Sequence, residues 1–141
     1  HTSLKRIDKQ QNAVYHHQNA FHLTAEIGRC ILGCDAVVLE SNHDIDMLKN
    51  GAYPLPLKKR ILGEYGHLSN RSCAAALPRL VESGVRRIVL AHLSPENNRP
   101  ALAYSEGRGA LAARSITVAG ESVSADVSLA VASPCEPVRV L

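Results

Sequence analysis

The chain has no tryptophan, one phenylalanine and one methionine among its 141 residues. A core without large aromatics must be filled by Leu, Val, Ile and Ala, and a hydrophobic content of 45% is enough for one modest domain. No apolar run approaches the roughly 18 residues that a membrane-spanning helix needs, so nothing reads as crossing a bilayer. Charge of one sign is scarce as well: 16 Lys and Arg against 13 Asp and Glu leave a net +3. Apart from Lys58-Lys59-Arg60 and the pair Arg86-Arg87 the basic residues are scattered, so charge alone makes no case for nucleic acid. A glycine-rich phosphate loop and a Gly-x-Ser-x-Gly elbow are both missing from the sequence. No start resembles a secretory signal, and His1 in place of Met is compatible with processing.

Cysteine is sparse and unpaired in pattern. Cys30 and Cys34 stand at a helix-repeat spacing, but Cys73 and Cys135 form no second close pair, which argues against a four-sulfur zinc site. The four read as reduced core thiols, and with them a cytoplasmic setting.

What is present is a pair of buried strands with abrupt polar ends. Ala36-Val37-Val38-Leu39 runs into Glu40, Ser41, Asn42 and His43. Ile88-Val89-Leu90-Ala91 runs into His92, Leu93 and Ser94. Apolar runs of this length fit strands covered on both faces, and polar carboxyl ends are where open α/β sheets place their chemistry. Between them, Asp44 caps a short helix Ile45 to Asn50 that Gly51 stops. A helix from Pro56 or Leu57 to Tyr65 stacks Leu57, Ile61 and Tyr65 and ends at Gly66. Ser69 or Asn70 caps a longer helix to about Ser83, in which Pro78 predicts a kink or break. Thr24 caps a helix to Leu32, and Ala101 to Ala113 reads as helical despite Gly107 and Gly109. Alternation over Ser115–Ala119 and Asp126–Ala132 predicts two strands, with a last strand over Val138–Leu141 at an edge or outside the sheet. Residues 1–23 hold neither period for long and read as a surface segment; His16, His17 and His22 within it could collect a metal by accident. The order of elements predicts an α/β fold with parallel neighbours, crossovers and helices over one face.

His43, His67 and His92 all follow apolar segments and sit in polar corners. Each could ligate a metal, shuttle a proton or serve structure alone. Asp44 and Asp46 could orient such a histidine, though a helix-start role is simpler for Asp44. Asn97 and Asn98 could bind a polar group or only make a turn. Ser41 and Ser69 have polar neighbours but no context for a nucleophile.

Two long runs, ESNHDIDMLKNGAYPLPLKKRILGEYGHLSN and RRIVLAHLSPENNRPALA, resemble the C-terminal half of the metallo-β-lactamase-fold hydrolases, in particular a small bacterial exonuclease-like group. The resemblance runs from about Leu23 to the C terminus. It implies that residues 24–141 form the C-terminal half of an αββα sandwich with a mixed sheet. His92 matches the family's last metal-ligating histidine. Asn42 and His43 match a loop at the active-site rim, His67 and Ser69 a second loop toward the substrate, and Asn97 and Asn98 a turn beside the site. The family's metals, zinc or manganese, activate a bridging water, and its substrates here would be phosphodiesters of nucleic acid or a small molecule.

The family's His-x-His-x-Asp-His motif is nowhere in the sequence, and Asn19 stands where its bridging aspartate is expected. The resulting expectation is a truncated metal-dependent hydrolase that lacks the main metal-binding motif, keeps His92 as a single ligand, holds no catalytic metal and is inactive alone. The alternative is a non-catalytic half-domain that assembles as a homo-oligomer or with a separate N-terminal half.

Overall fold

The computed structural model describes residues 3–7, 12–16, 31–63, 66–120 and 124–132. Five strands form one mixed sheet in chain order: β1 (Ser3–Ile7), β2 (Asn12–His16), β3 (Ala36–Glu40), β4 (Arg87–Ala91) and β5 (Ser128–Val131). β1 and β2 run antiparallel, while β2–β3, β3–β4 and β4–β5 are parallel. Four described helices fill the crossovers. These are α1 (Ile45–Asn50), α2 (Leu55–Leu62) and α3 (Asn70–Glu82) between β3 and β4, then α4 (Pro100–Ala112) between β4 and β5.

Register explains the core. Val37 lies beside Ile88, Leu39 beside Leu90, and Leu129 beside Ile88. With a side-chain period of two, these residues point to one face of the sheet. There they join Cys73, Leu77, Leu80 and Val81 of α3 and Ala103 and Leu111 of α4 in one buried cluster, so the helices lie on that face. Gly107 is part of the fit: a Cβ there would stand 3.1 Å from Leu77 and 3.3 Å from Leu129. The glycine that weakens α4 by propensity is what lets the helix approach the sheet.

Local signals account for several boundaries. Asp44 Oδ1 accepts from the Met47 N–H at 2.8 Å and starts α1, and Ser69 Oγ accepts from the Ser72 N–H at 3.1 Å and starts α3. Pro78 does not break α3, which runs unbroken from Asn70 to Glu82 with Pro78 buried. α2 begins at Leu55 rather than Pro56 or Leu57, and it ends at Leu62, because Gly63 and not Gly66 supplies the stop. Ile61 is buried in it while Leu57 stays exposed; Tyr65 lies outside the described residues. The alternation over Ser115–Ala119 produces isolated bridging at Val118 and Ala119, Val118 pairing with Val127, and no strand. The 116–119 segment is instead tied to Asp126, whose carboxylate accepts from the Thr117 N–H and hydroxyl, both at 2.9 Å. Residues 1–23, which show no sustained period, contribute β1 and β2, the first with an irregular register between Lys5 and Ile7. Most of the helix expected from Thr24, the strand expected over Val138–Leu141, Asn19, and the side chains of His16, His17 and His22 lie outside the described residues.

Candidate metal centre

The site is assembled by the segment that leaves β3. Five backbone hydrogen bonds fix Ser41 to Asp44 in place: Ser41 N–H to Ala91 O (2.9 Å), Asn42 N–H to Leu68 O (2.8 Å), Asn70 N–H to His43 O (2.9 Å), Ser94 N–H to Asn42 O (2.7 Å) and Asp44 N–H to Asn97 O (2.9 Å). The loops after β4 and before α3 are thereby sewn to the end of β3, bringing residues some 25 and 50 positions apart in sequence onto one sheet edge. Irregular backbone can be buried here because its polar groups are paired.

Beneath these loops lies a buried amide pair. Asn70 Nδ2 donates to Asn98 Oδ1 and Asn98 Nδ2 donates back to Asn70 Oδ1, both at 2.8 Å. Ser41 Oγ donates to Asn70 Oδ1 at 2.7 Å, and Asn98 Nδ2 also reaches Ser41 O at 2.9 Å. Ser41 is therefore a structural hydroxyl. Its other neighbour is the Cys73 thiol, which burial pushes up to about 12, so that it stays protonated. Cys34 and Cys73 are both free and buried; Cys30 and Cys135 lie outside the described residues.

Glu40 ends β3 with its side chain 2% exposed. Its Oε1 accepts from Nδ1 of His67 at 2.7 Å and from Nδ1 of His92 at 2.6 Å, while Oε2 accepts from the Leu68 N–H at 3.2 Å. Burial alone would raise its pKa, but these hydrogen bonds outweigh burial and hold the carboxyl below its ordinary value. The Glu40 bond in turn raises the His67 pKa against partial burial. The two rings are 5.2 Å apart and tilted by 56°, and their side chains are 36% and 46% exposed. One donor atom each from Glu40, His67 and His92 falls within 4.8 Å of the others.

This cluster corrects the expectation that the chain lacks a metal-binding motif and keeps His92 as a lone ligand. Three groups, not one, converge, although the residue spacing matches no compact motif. The donor set suits a divalent cation: two imidazoles supply nitrogen donors, and a carboxylate beside them can either join them as a ligand or orient them. With both Nδ1 atoms turned to Glu40, the opposite edge of each ring, Nε2, faces away from the carboxylate. Glu40 then works as the group that sets ring orientation and tautomer.

Of the residues singled out by sequence, the structure brings His67 and His92 together on Glu40. Asn42 and His43 lie beside them, along one cavity of about 250 Å³ that Asn97 also lines. Ser69 faces a second cavity, of about 290 Å³, together with His43 and His67. Asn98 does not line either cavity; its side chain is spent on the buried amide pair. Asn97 is buried against Gly51, where a Cβ would stand 2.8 Å from Asn97 Oδ1. Glu40 is the residue that reading by sequence passed over. Its signal was a carboxylate as the first polar residue after a buried strand, a position where solvent cannot satisfy it.

A carboxylate shared by two histidines at the carboxyl edge of a mixed α/β sheet is an arrangement suited to holding a divalent metal. No protein-family model matches the chain. It is similar to the exodeoxyribonuclease YycJ of Bacillus anthracis, 45% identical over 73 residues, which are 52% of this chain and 28% of that protein. It is also similar to the exodeoxyribonuclease WalJ of Streptococcus pneumoniae serotype 2 (strain D39), 44% identical over 70 residues, 50% of this chain and 26% of that protein. WalJ of Streptococcus pneumoniae strain ATCC BAA-255 / R6 matches to the same extent. The chain thus spans less than a third of the length of these curated relatives. No described helix is long and apolar enough to cross a membrane.

Proposed function

We propose that the chain carries the carboxylate and histidine part of the metal centre in a metal-dependent hydrolase of nucleic-acid phosphodiesters, with residues 24–141 as the C-terminal half of a metallo-β-lactamase-type sandwich. The observation that carries this reading is the convergence of Glu40, His67 and His92, and the similarity to exodeoxyribonucleases supplies the substrate class. His67 and His92 would hold the cation, with zinc and manganese the metals to test first. A divalent cation bound there supplies Lewis-acid polarisation of a phosphoryl oxygen.

The chain's own residues supply the rest. Glu40 anchors both rings through Nδ1 and so fixes how each imidazole is presented. His67 keeps its proton to higher pH than an ordinary imidazole, so without a cation it presents a positive edge to an anionic substrate. Asn42, His43, Ser69 and Asn97 form the rim, and Asn98 supports it from beneath.

A second reading follows from the partial span of the match. In it the centre is completed by residues from a separate N-terminal half or from another copy of the chain. Both readings are tested by titrating zinc and manganese calorimetrically, then assaying single-stranded DNA and a generic phosphodiester. Metal binding that His92→Ala abolishes, together with metal-dependent cleavage, is the expected result. Metal binding without cleavage supports the second reading. Turnover that survives His92→Ala, with no metal bound, overturns both.

A further inference from the structure

His43 is 2% exposed and lies beside the metal cluster without joining it. The neighbouring amide determines which ring nitrogen holds its proton. Asn42 Nδ2 donates to the His92 carbonyl oxygen at 2.9 Å. A carbonyl can only accept, so the amide orientation is settled and Asn42 Oδ1 is the atom that faces His43 Nδ1 at 3.3 Å. An acceptor at that place requires hydrogen on Nδ1. The neutral ring therefore carries its lone pair on Nε2.

Among the described residues Nε2 has no hydrogen-bond partner. His43 lines two cavities, one of about 290 Å³ shared with Lys49, Leu62, His67 and Ser69 and one of about 250 Å³ shared with Tyr53 and His92. Burial holds the ring far below its ordinary value, at about 4, so it is neutral wherever the fold is intact near pH 7.

We propose that His43 Nε2 is a recognition acceptor beside the metal cluster, taking a hydrogen bond from a free sugar hydroxyl at the end of a nucleic-acid strand. The proposal rests on the nuclease reading above for its ligand class, and on the Asn42 geometry for its polarity. A phosphate oxygen is excluded at this atom, because lone pair would face lone pair. A hydroxyl is matched, because its O–H meets the lone pair, in surroundings where a hydrogen bond is stronger than in water. The phosphate of the same nucleotide has better partners close by, in Lys49 at the cavity edge and His67.

The test uses the full chain labelled with 15N-histidine and needs neither metal nor turnover, so it stands apart from the hydrolysis assay. In the free protein the His43 signals should show a protonated Nδ1 and an unprotonated Nε2. Thymidine, which has hydroxyls but no exocyclic amine, should shift the Nε2 resonance; 3′,5′-dideoxythymidine and inorganic phosphate should not. His43→Phe, with its fold checked by circular dichroism, should lower thymidine affinity at least tenfold. A proton found on Nε2, no response to thymidine, or an equal response to the dideoxy compound overturns the proposal. So does a matching shift with phosphate or with zinc alone, the last making His43 a metal ligand.

Discussion

The side-chain amide of Asn42 donates to the carbonyl oxygen of His92 across 2.9 Å, at a residue whose backbone is left-handed with φ of 57°. Few non-glycine residues adopt that conformation, at a cost of about 1 kcal/mol or more. The amide therefore stabilises the turn that points the His92 ring at Glu40. Asn42→Ala should destabilise the chain by roughly 1–2 kcal/mol in urea denaturation. It should also weaken zinc binding, since the ring loses its fixed backbone. Unchanged affinity and unchanged stability together would show that the turn holds without the amide.

Glu40→Gln keeps the shape of the side chain and removes its charge. With Gln the three bonds cannot all survive: a carbonyl in the place of Oε1 keeps the rings but sets an NH2 against the Leu68 N–H, and the reverse orientation sets it against both Nδ1–H donors, so the rings are held less firmly. Removal of such an orienting partner typically costs about 10–100-fold in metal affinity. Calorimetric titration with zinc measures this directly, and an affinity equal to that of the unaltered chain would exclude the orienting role.

Acid should destabilise the fold through His43. Its ring has a pKa of about 4 when folded against an ordinary 6.5, so between those values the unfolded chain takes up a proton that the folded chain refuses. Stability is then full above about 6.5, falls as pH drops toward about 4, and loses nothing further from this group below that. Glu40, held below its usual value, adds a loss at still lower pH, whereas the raised His67 loses its contribution as pH climbs above the ordinary imidazole value. From pH 7 to pH 5 the His43 contribution is on the order of 2 kcal/mol. The denaturation curve of His43→Gln should lose that share of the acid destabilisation between the two pH values, while the net change in the unaltered chain is smaller by what His67 returns on acidification.

Asn98→Ala should be among the more damaging polar changes. It removes the reciprocal amide bonds with Asn70 and leaves the Ser41 carbonyl and both Asn70 amide atoms short of partners in a buried space. A loss of roughly 2–4 kcal/mol is expected, read as a shift in the denaturation midpoint. A loss below 0.5 kcal/mol, within the scatter of ordinary surface changes, would mean that water fills the gap.

The parts legible in the sequence were those decided over a few residues. Asp44 and Ser69 cap helices because their oxygens reach the third N–H along, and Val37-Val38-Leu39 forms a buried strand because nothing polar interrupts it. Glu40 was not legible, because its meaning comes from two histidines, 27 and 52 residues away, that only the sheet brings to it. β1 and β2 were missed because neither shows an apolar alternation long enough to count as a strand signal. Ser115–Ala119 misled in the other direction: it alternates, but Asp126 captures Thr117 and leaves room for isolated bridging only.

The left-handed backbone at His92 sets the chain's two interests against each other. Glycine or asparagine would sit at that φ with less strain, so screening variants for heat resistance alone should favour replacing the very imidazole that completes the cluster. Keeping a histidine there sacrifices some resilience for reactivity, and a thermostabilised version of this protein would need that position held constant from the outset.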